Sequence, residues 1–241
     1  MIKKYILTSE TKIFNGRKLY RIKALKPFGN ISAGELGGWI ESEHNLSQFG
    51  DCWIFDDAIV EGQARVYDDA IVGGTAWIYG NACVFGRAIV LNNTRVSGEA
   101  RIAGRARLLD NAQVSGKAWV AGWAIVSDSA LIFESATVSG YAKVFGDARL
   151  RGYSCVHGDA EISSYSDILY ISQIGEKNDP ITFFRSHESI QVSESYRDAI
   201  DILEFEELHE DDSEYRCAAE LARLHILKGE YDALEEKMGV D

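Results

Sequence analysis

From Asp51 to Tyr170 the chain repeats one six-residue unit twenty times. Aligned from Asp51, the units run DCWIFD, DAIVEG, QARVYD, DAIVGG and onward through DAEISS to YSDILY. The fourth position is always Val, Ile or Leu; the second is Ala in sixteen units and Cys, Thr or Ser in the rest. Two inward residues with a variable one between them make a short strand of period two. The sixth position is Gly in twelve units and Asp or Asn in five. These residues tolerate left-handed backbone angles, so each strand ends in a bend.

A chain that bends every six residues closes a triangular coil of about 18 residues, the geometry of a parallel β-helix. The 120 repeat residues make between six and seven coils. At about 4.8 Å per stacked strand the prism is about 32 Å long. The period of six excludes a pentapeptide prism and favours left-handed coiling over right-handed. Each buried aliphatic contributes about 1.5–3 kcal/mol, so one charge at a fourth position, as in Val114→Asp, is expected to be severely disruptive. The fold class is therefore mainly β, a single-stranded left-handed parallel β-helix with an N-terminal hairpin cap and a small α+β C-terminal extension.

An open solenoid end exposes unpaired strand edges and needs a cap. Residues 1–50 are placed to supply one, because Tyr5–Thr8 and Lys18–Ile22 flank the two-residue turn Asn15-Gly16. After residue 170 the rhythm stops, and residues 171–241 read as a second hairpin followed by helices. Its strands are Ile181–Phe184 and Ile190–Ser193; the helices span Tyr196–His209, Ser213–Lys228 up to Gly229, and Tyr231–Met238.

Hydrophobic content of 46% is sufficient for a core, and no stretch approaches the length of a membrane span. The first residues lack the apolar run of a signal peptide, so a cytoplasmic protein with no membrane partner is expected. Cys52, Cys83, Cys155 and Cys217 are too dispersed for a zinc site or a disulfide framework, and no metal site is expected. Residues 1–50 carry 8 basic and 4 acidic side chains, residues 51–170 carry 10 and 14, and residues 171–241 carry 7 and 19. The tail thus accounts for the whole net charge of −12. Duplex nucleic acid needs a basic face to displace counterions, so it is not an expected partner.

Residues 18 apart stack, which sorts the outward positions onto three faces. One carries Trp53, Ile71, Ile89 and Ile125 with Phe55, Leu91, Leu109 and Phe145 beside them. An apolar patch of this size is an interface, to be covered by a second copy of the chain, in a dimer or trimer, or by its own terminal segments. A protein partner is expected at this face or at the acidic tail. Arg87, Arg95, Arg101, Arg105 and Arg107 occupy neighbouring coils, an arrangement able to grip a small anion or a nucleotide phosphate.

The chain contains no GxGxxG, GxxxxGK[ST], GxSxG or HExxH motif. In its period of six it resembles the hexapeptide acyltransferases. That resemblance implies trimers, acetyl-CoA as cofactor and a histidine general base near a loop interrupting the coils. Here no loop interrupts the units, and Gly lies two residues after the aliphatic position rather than one. The histidines that the transferase reading would use are His157, on an outward fifth position, and His44, just before the first coil. Where the chain enters the solenoid, Gly37-Gly38-Trp39-Ile40, Asn45-Leu46-Ser47-Gln48 and Gly50-Asp51-Cys52-Trp53-Ile54 resemble the corresponding stretch of YdcK-like proteins. These are bacterial and phage-borne β-helix proteins labelled transferases, and the resemblance spans roughly residues 5–170. It implies the fold and carries no catalytic residue onto this chain. The sequence therefore favours a non-catalytic, oligomeric solenoid acting through its surface, with no cofactor. Two alternatives stand beside it: an acyltransferase-like enzyme with a site between subunits, and a nucleotide- or signal-binding protein.

Overall fold

Alanine at one inward position and a branched aliphatic at the next decide how closely three short strands can approach around a common axis. In the computed structural model the fourth-position residues from Ile54 to Ile162 and the second-position alanines from Ala58 to Ala160 are sealed from solvent in one continuous core. The structure describes residues 3–175, 179–187, 189–194 and 199–238, with backbone alone from residue 228. Among these, no helix is long and apolar enough to cross a membrane.

Strands β1 (Tyr5–Phe14) and β2 (Arg17–Ala24) form the expected hairpin, with Asn15 and Gly16 at φ 48° and 77°, the positive pair that a type I′ turn requires. Strand β3 (Leu36–Ile40) pairs antiparallel with β2 and parallel with Ile59–Val60, so the cap and the solenoid share one sheet. Nineteen two-residue strands follow, β4 to β22, from Trp53–Ile54 to Glu161–Ile162. Every third strand is a neighbour, and partners such as Ile71 and Ile89 lie 18 residues apart. The result is a parallel β-solenoid of about seven turns with three flat sheets of nine, seven and six strands.

The bends follow the sixth position. Gly122, at φ +67°, stacks on Gly140 so closely that a Cβ would come 2.8 Å from the Gly140 nitrogen. Where Gly is absent, Asp56, Asp68, Asn92, Asp110, Asp128 and Glu134 take positive φ, and five of these six carboxyl or amide side chains are carboxylates that accept the amide N–H of the next coil. At the N-terminal end the buried Lys4 ammonium donates to the carbonyls of Phe49, Gly50 and Cys52, closing the prism with a cation rather than a strand.

The twentieth unit leaves the coil. Tyr165–Asp167 forms a 3-10 turn, and β23 (Ile168–Ile174) opens an antiparallel sheet with β24 (Asp179–Arg185), β25 (Ile190–Glu194) and β26 (Ile200–Asp201). Strand β24 faces two ways: Phe184 packs under the last coil while Phe183 joins the core of the C-terminal helices. The helices differ from the sequence reading. Helix α1 spans only Ile202–Leu208, because Ile200 and Asp201 pair with Val192 and Gln191 and Asp201 then caps the helix by accepting from Leu203 N–H. The expected start at Tyr196 lies outside the described residues. Helix α2 runs unbroken over Ser213–Met238, through Gly229, where two helices were expected. A glycine in a helix interior costs only about 1 kcal/mol, less than the hydrogen bonds a break would forfeit.

Candidate functional site

Third and fifth positions point outward on each sheet, and the first position of the next unit projects from the corner. On the six-stranded sheet these three columns gather cations and aromatic rings. Tyr67 and Phe85 stack at 4.9 Å with planes 4° apart, and the Arg65 guanidinium lies 5.7 Å from the Tyr67 ring. Arg101 sits 5.7 Å from Phe85 and 5.1 Å from Trp119. Across the corner, Arg105 covers Trp123 at 4.3 Å, and Trp123 is nearly parallel to Tyr141 at 6.3 Å. Between the two rows lie the small side chains of Ala103, Ala121 and Ser139.

The stripe is open: Trp119, Trp123 and Tyr141 are 44%, 49% and 62% exposed. Among the described residues Arg65, Arg101, Arg105 and Arg107 make no ion pair, whereas Arg87 lies 3.7 Å from Asp69. Stacking on a ring holds a guanidinium plane while leaving its N–H edge able to meet a carboxylate or phosphate. Of the arginines singled out from the sequence, Arg101, Arg105, Arg87 and Arg107 therefore sit around one corner. Arg95 belongs to the nine-stranded sheet, on another face.

The stripe ends in a cleft of about 660 Å³ between the last coils and the C-terminal sheet, lined by Thr137, Ser139, Cys155, His157, Asp159 and Gln191 among others. His157 Nε2 is 3.3 Å from the Ser193 hydroxyl, and its ring meets Phe184 edge-on. Burial pushes the Cys155 thiol up, which keeps it protonated and unreactive at neutral pH. The Cys155 N–H donates to Thr182 Oγ1, fastening the sheet to the coil. A histidine beside hydroxyls in an open cleft is the chemistry of a proton acceptor. His44 is exposed in the 3-10 turn Glu43–Asn45 at the opposite end of the prism, so the structure does not bring the two histidines together. No three His, Cys, Asp or Glu side chains among the described residues converge to hold a metal ion.

The apolar ladder lies on the seven-stranded sheet. Trp53 is buried beneath the cap, edge-on to Tyr5 and Phe28, and Phe55 is half-buried beside it. Ile71, Ile89, Ile125, Leu91, Leu109 and Phe145 are also half-buried, each shielded by the neighbours above and below in its column. Trp123 and Tyr141 escaped the sequence sorting because it took only third and fifth positions as outward. The signal was present: aromatic residues at first positions 18 apart, following corner glycines.

No protein-family model matches the chain. It is 35% identical over 79 residues to the uncharacterized acetyltransferase YdcK of Escherichia coli strain K12, a match covering 27% of this chain and 24% of that protein. The chain thus matches about a quarter of the curated relative's length. The likeness and the seven-turn solenoid fit a YdcK-like hexapeptide-repeat protein.

Proposed function

We propose that the chain is a non-catalytic, oligomeric β-solenoid that acts by binding through its outer surface, with the cation–aromatic stripe of the six-stranded sheet as the binding face. The observation that carries this reading is the stripe itself. Tryptophan, tyrosine and arginine are the residues that dominate binding energy at protein interfaces, and here they stand exposed, with Arg101 and Arg105 in no ion pair among the described residues. The scaffold beneath is a continuously paired solenoid with a sealed core, which holds these side chains in register before a partner arrives. Coils that run from β4 to β22 without an inserted loop leave few places for a separate active site. Size-exclusion chromatography with light scattering tests the oligomer: a mass of two or more chains is expected, and a monomer across the micromolar range sinks it.

A second reading is favoured by one feature, the cleft at His157 together with a relative named as an acetyltransferase. In it His157 takes a proton from an acceptor hydroxyl or amine as that oxygen or nitrogen attacks the thioester carbonyl of acetyl-CoA; the C–S bond then breaks and coenzyme A leaves as the thiol, receiving the proton from His157. Calorimetry with acetyl-CoA separates the two readings. Binding that is weakened in His157→Ala favours the transferase; no heat with acetyl-CoA favours the binding protein. Nucleotide binding by the arginine group would instead give a thermal shift with ATP and none with acetyl-CoA.

A further inference from the structure

The C-terminal helices carry a surface chemically opposite to the stripe. Helix α2 buries small residues, Ala218, Ala219 and Ala222, together with Ile226, and turns Leu221, Leu224 and Leu227 outward. Leu221, Leu224 and Leu227 follow one another at i, i+3 spacing, and Leu224 and Leu227 stand at i+4 and i+7 from Glu220, so the four share one side of the helix. Each of these leucines is more than half exposed, as is Leu203 of α1. Helices normally hide leucine and expose charge, so an outward leucine stripe is an unfilled interface.

Charge decides what fills it. Exposed Glu220 precedes Leu221 and exposed Glu207 follows Leu203 by one turn, Arg223 is neutralised by Glu206, and the segment as a whole has 7 basic and 19 acidic side chains. Packing two such faces together sets like charges against each other, at a cost that rises as water leaves. The stripe offers the complement: flat aromatic surface for the leucines and unpaired guanidinium groups for the carboxylates. The two surfaces do not meet within one chain. Trp119 lies two coils before Cys155, where the C-terminal sheet is fastened, a gap of about 10 Å, and among the described residues nothing of the C-terminal segment covers it, so that it stays 44% exposed.

We propose that the acidic, leucine-bearing face of α1 and α2 in one copy docks on the Arg101, Arg105, Trp119 and Trp123 stripe of a second copy. This rests on the reading of the chain as an oligomeric binding solenoid and names the two surfaces that join. Unlike surfaces make a heterologous contact, which closes into a ring or runs on as a fibre.

Sedimentation of the full chain tests it through charge reversal. Wild type associates, and the association weakens as salt rises from ~0.05 to ~0.5 M. Arg101→Glu/Arg105→Glu weakens it at least about tenfold, and so does Glu207→Lys/Glu220→Lys, both with unchanged circular dichroism because all four side chains are exposed. An equimolar mixture of the two variants associates again, since each supplies the surface the other has reversed. The proposal is overturned, with the oligomeric reading intact, if the arginine variant associates like wild type. It is equally overturned if the glutamate variant associates more tightly, the mark of tail-to-tail packing. A wild type that stays monomeric removes the oligomeric reading itself.

Discussion

A buried hydroxyl in the alanine column is a local fault in an otherwise uniform core. Thr94 and Ser154 occupy second positions, fully enclosed, and their hydroxyl oxygens have no hydrogen-bond partner. An unpartnered polar group costs about 1–3 kcal/mol when buried. Ser154→Ala removes it without changing the packing and is expected to raise stability by about 1 kcal/mol, read as a higher midpoint in urea. The corner residues allow a sharper comparison. Asp128 combines a left-handed backbone, φ 55°, with a carboxylate that accepts the Gly146 N–H at 2.9 Å. Asp128→Ala keeps the strained angle and loses the acceptor, so a loss of about 1–2 kcal/mol is expected. Asp128→Gly loses the acceptor but relieves the strain and should fall between Ala and wild type in thermal midpoint. The corner position was legible as composition, because Gly, Asp and Asn recur at the bend. The chain of carboxylates capping the next coil was not, since it depends on two residues 18 apart meeting in register.

At the scale of elements, the junction between solenoid and C-terminal sheet turns on Asp167. Its carboxylate accepts from Ser163 N–H and Oγ–H, from Ser164 N–H and, at 2.8 Å, from Arg185 Nε. Burial alone would raise the pKa of this acid. The Ser163 and Ser164 donors and the Arg185 cation outweigh burial and leave it below the ordinary aspartate range. A depressed folded-state pKa adds stability that is present above the unfolded value and is lost as pH falls through the folded one. Acid should therefore loosen the anchorage of β23 to β25 before the coils respond. Asp167→Asn should cost about 3 kcal/mol at neutral pH and flatten the acid limb. Amide exchange in β24 and β25, followed from neutral pH to below 4, reads both effects; protection in wild type that is independent of pH would contradict them. Little of this region was legible. The hairpin at Ile181 and Ile190 announced itself by alternation, but β23 was hidden inside the twentieth repeat, where Ile168 still satisfies the fourth-position rule. Gly229 read as a stop, yet the flanking residues are strong helix formers and α2 continues through it.

For the whole molecule, two periods carry two kinds of information. The core responds only to a period of six, since any Ala–x–Val unit can stack on any other. The outer surface responds to 18, because a stripe persists only when like residues recur on the same side of successive coils. This is why the solenoid was legible from the sequence while the stripe was only half seen: Arg101 and Arg105 stood out within a group of arginines, and the rings of Trp119, Trp123 and Tyr141 beside them did not. Excising one unit separates the two periods. Deleting residues 111–116, Asn-Ala-Gln-Val-Ser-Gly, joins the Asp110 corner to Lys117 and keeps every inward position in register. All later coils then rotate by one side of the triangle, which carries Trp119, Trp123 and Tyr141 away from Arg101 and Arg105 without altering any of them. Nearest-neighbour stacking makes the loss of one unit a local cost. The shortened chain should keep its β circular dichroism and cooperative melting, with a midpoint lowered by about 5 °C. Its self-association should weaken at least about tenfold, because the cations and rings no longer share a face. If it unfolds, the core reads more than the six-residue period. If it folds and associates like wild type, continuity of the stripe is not what the molecule uses.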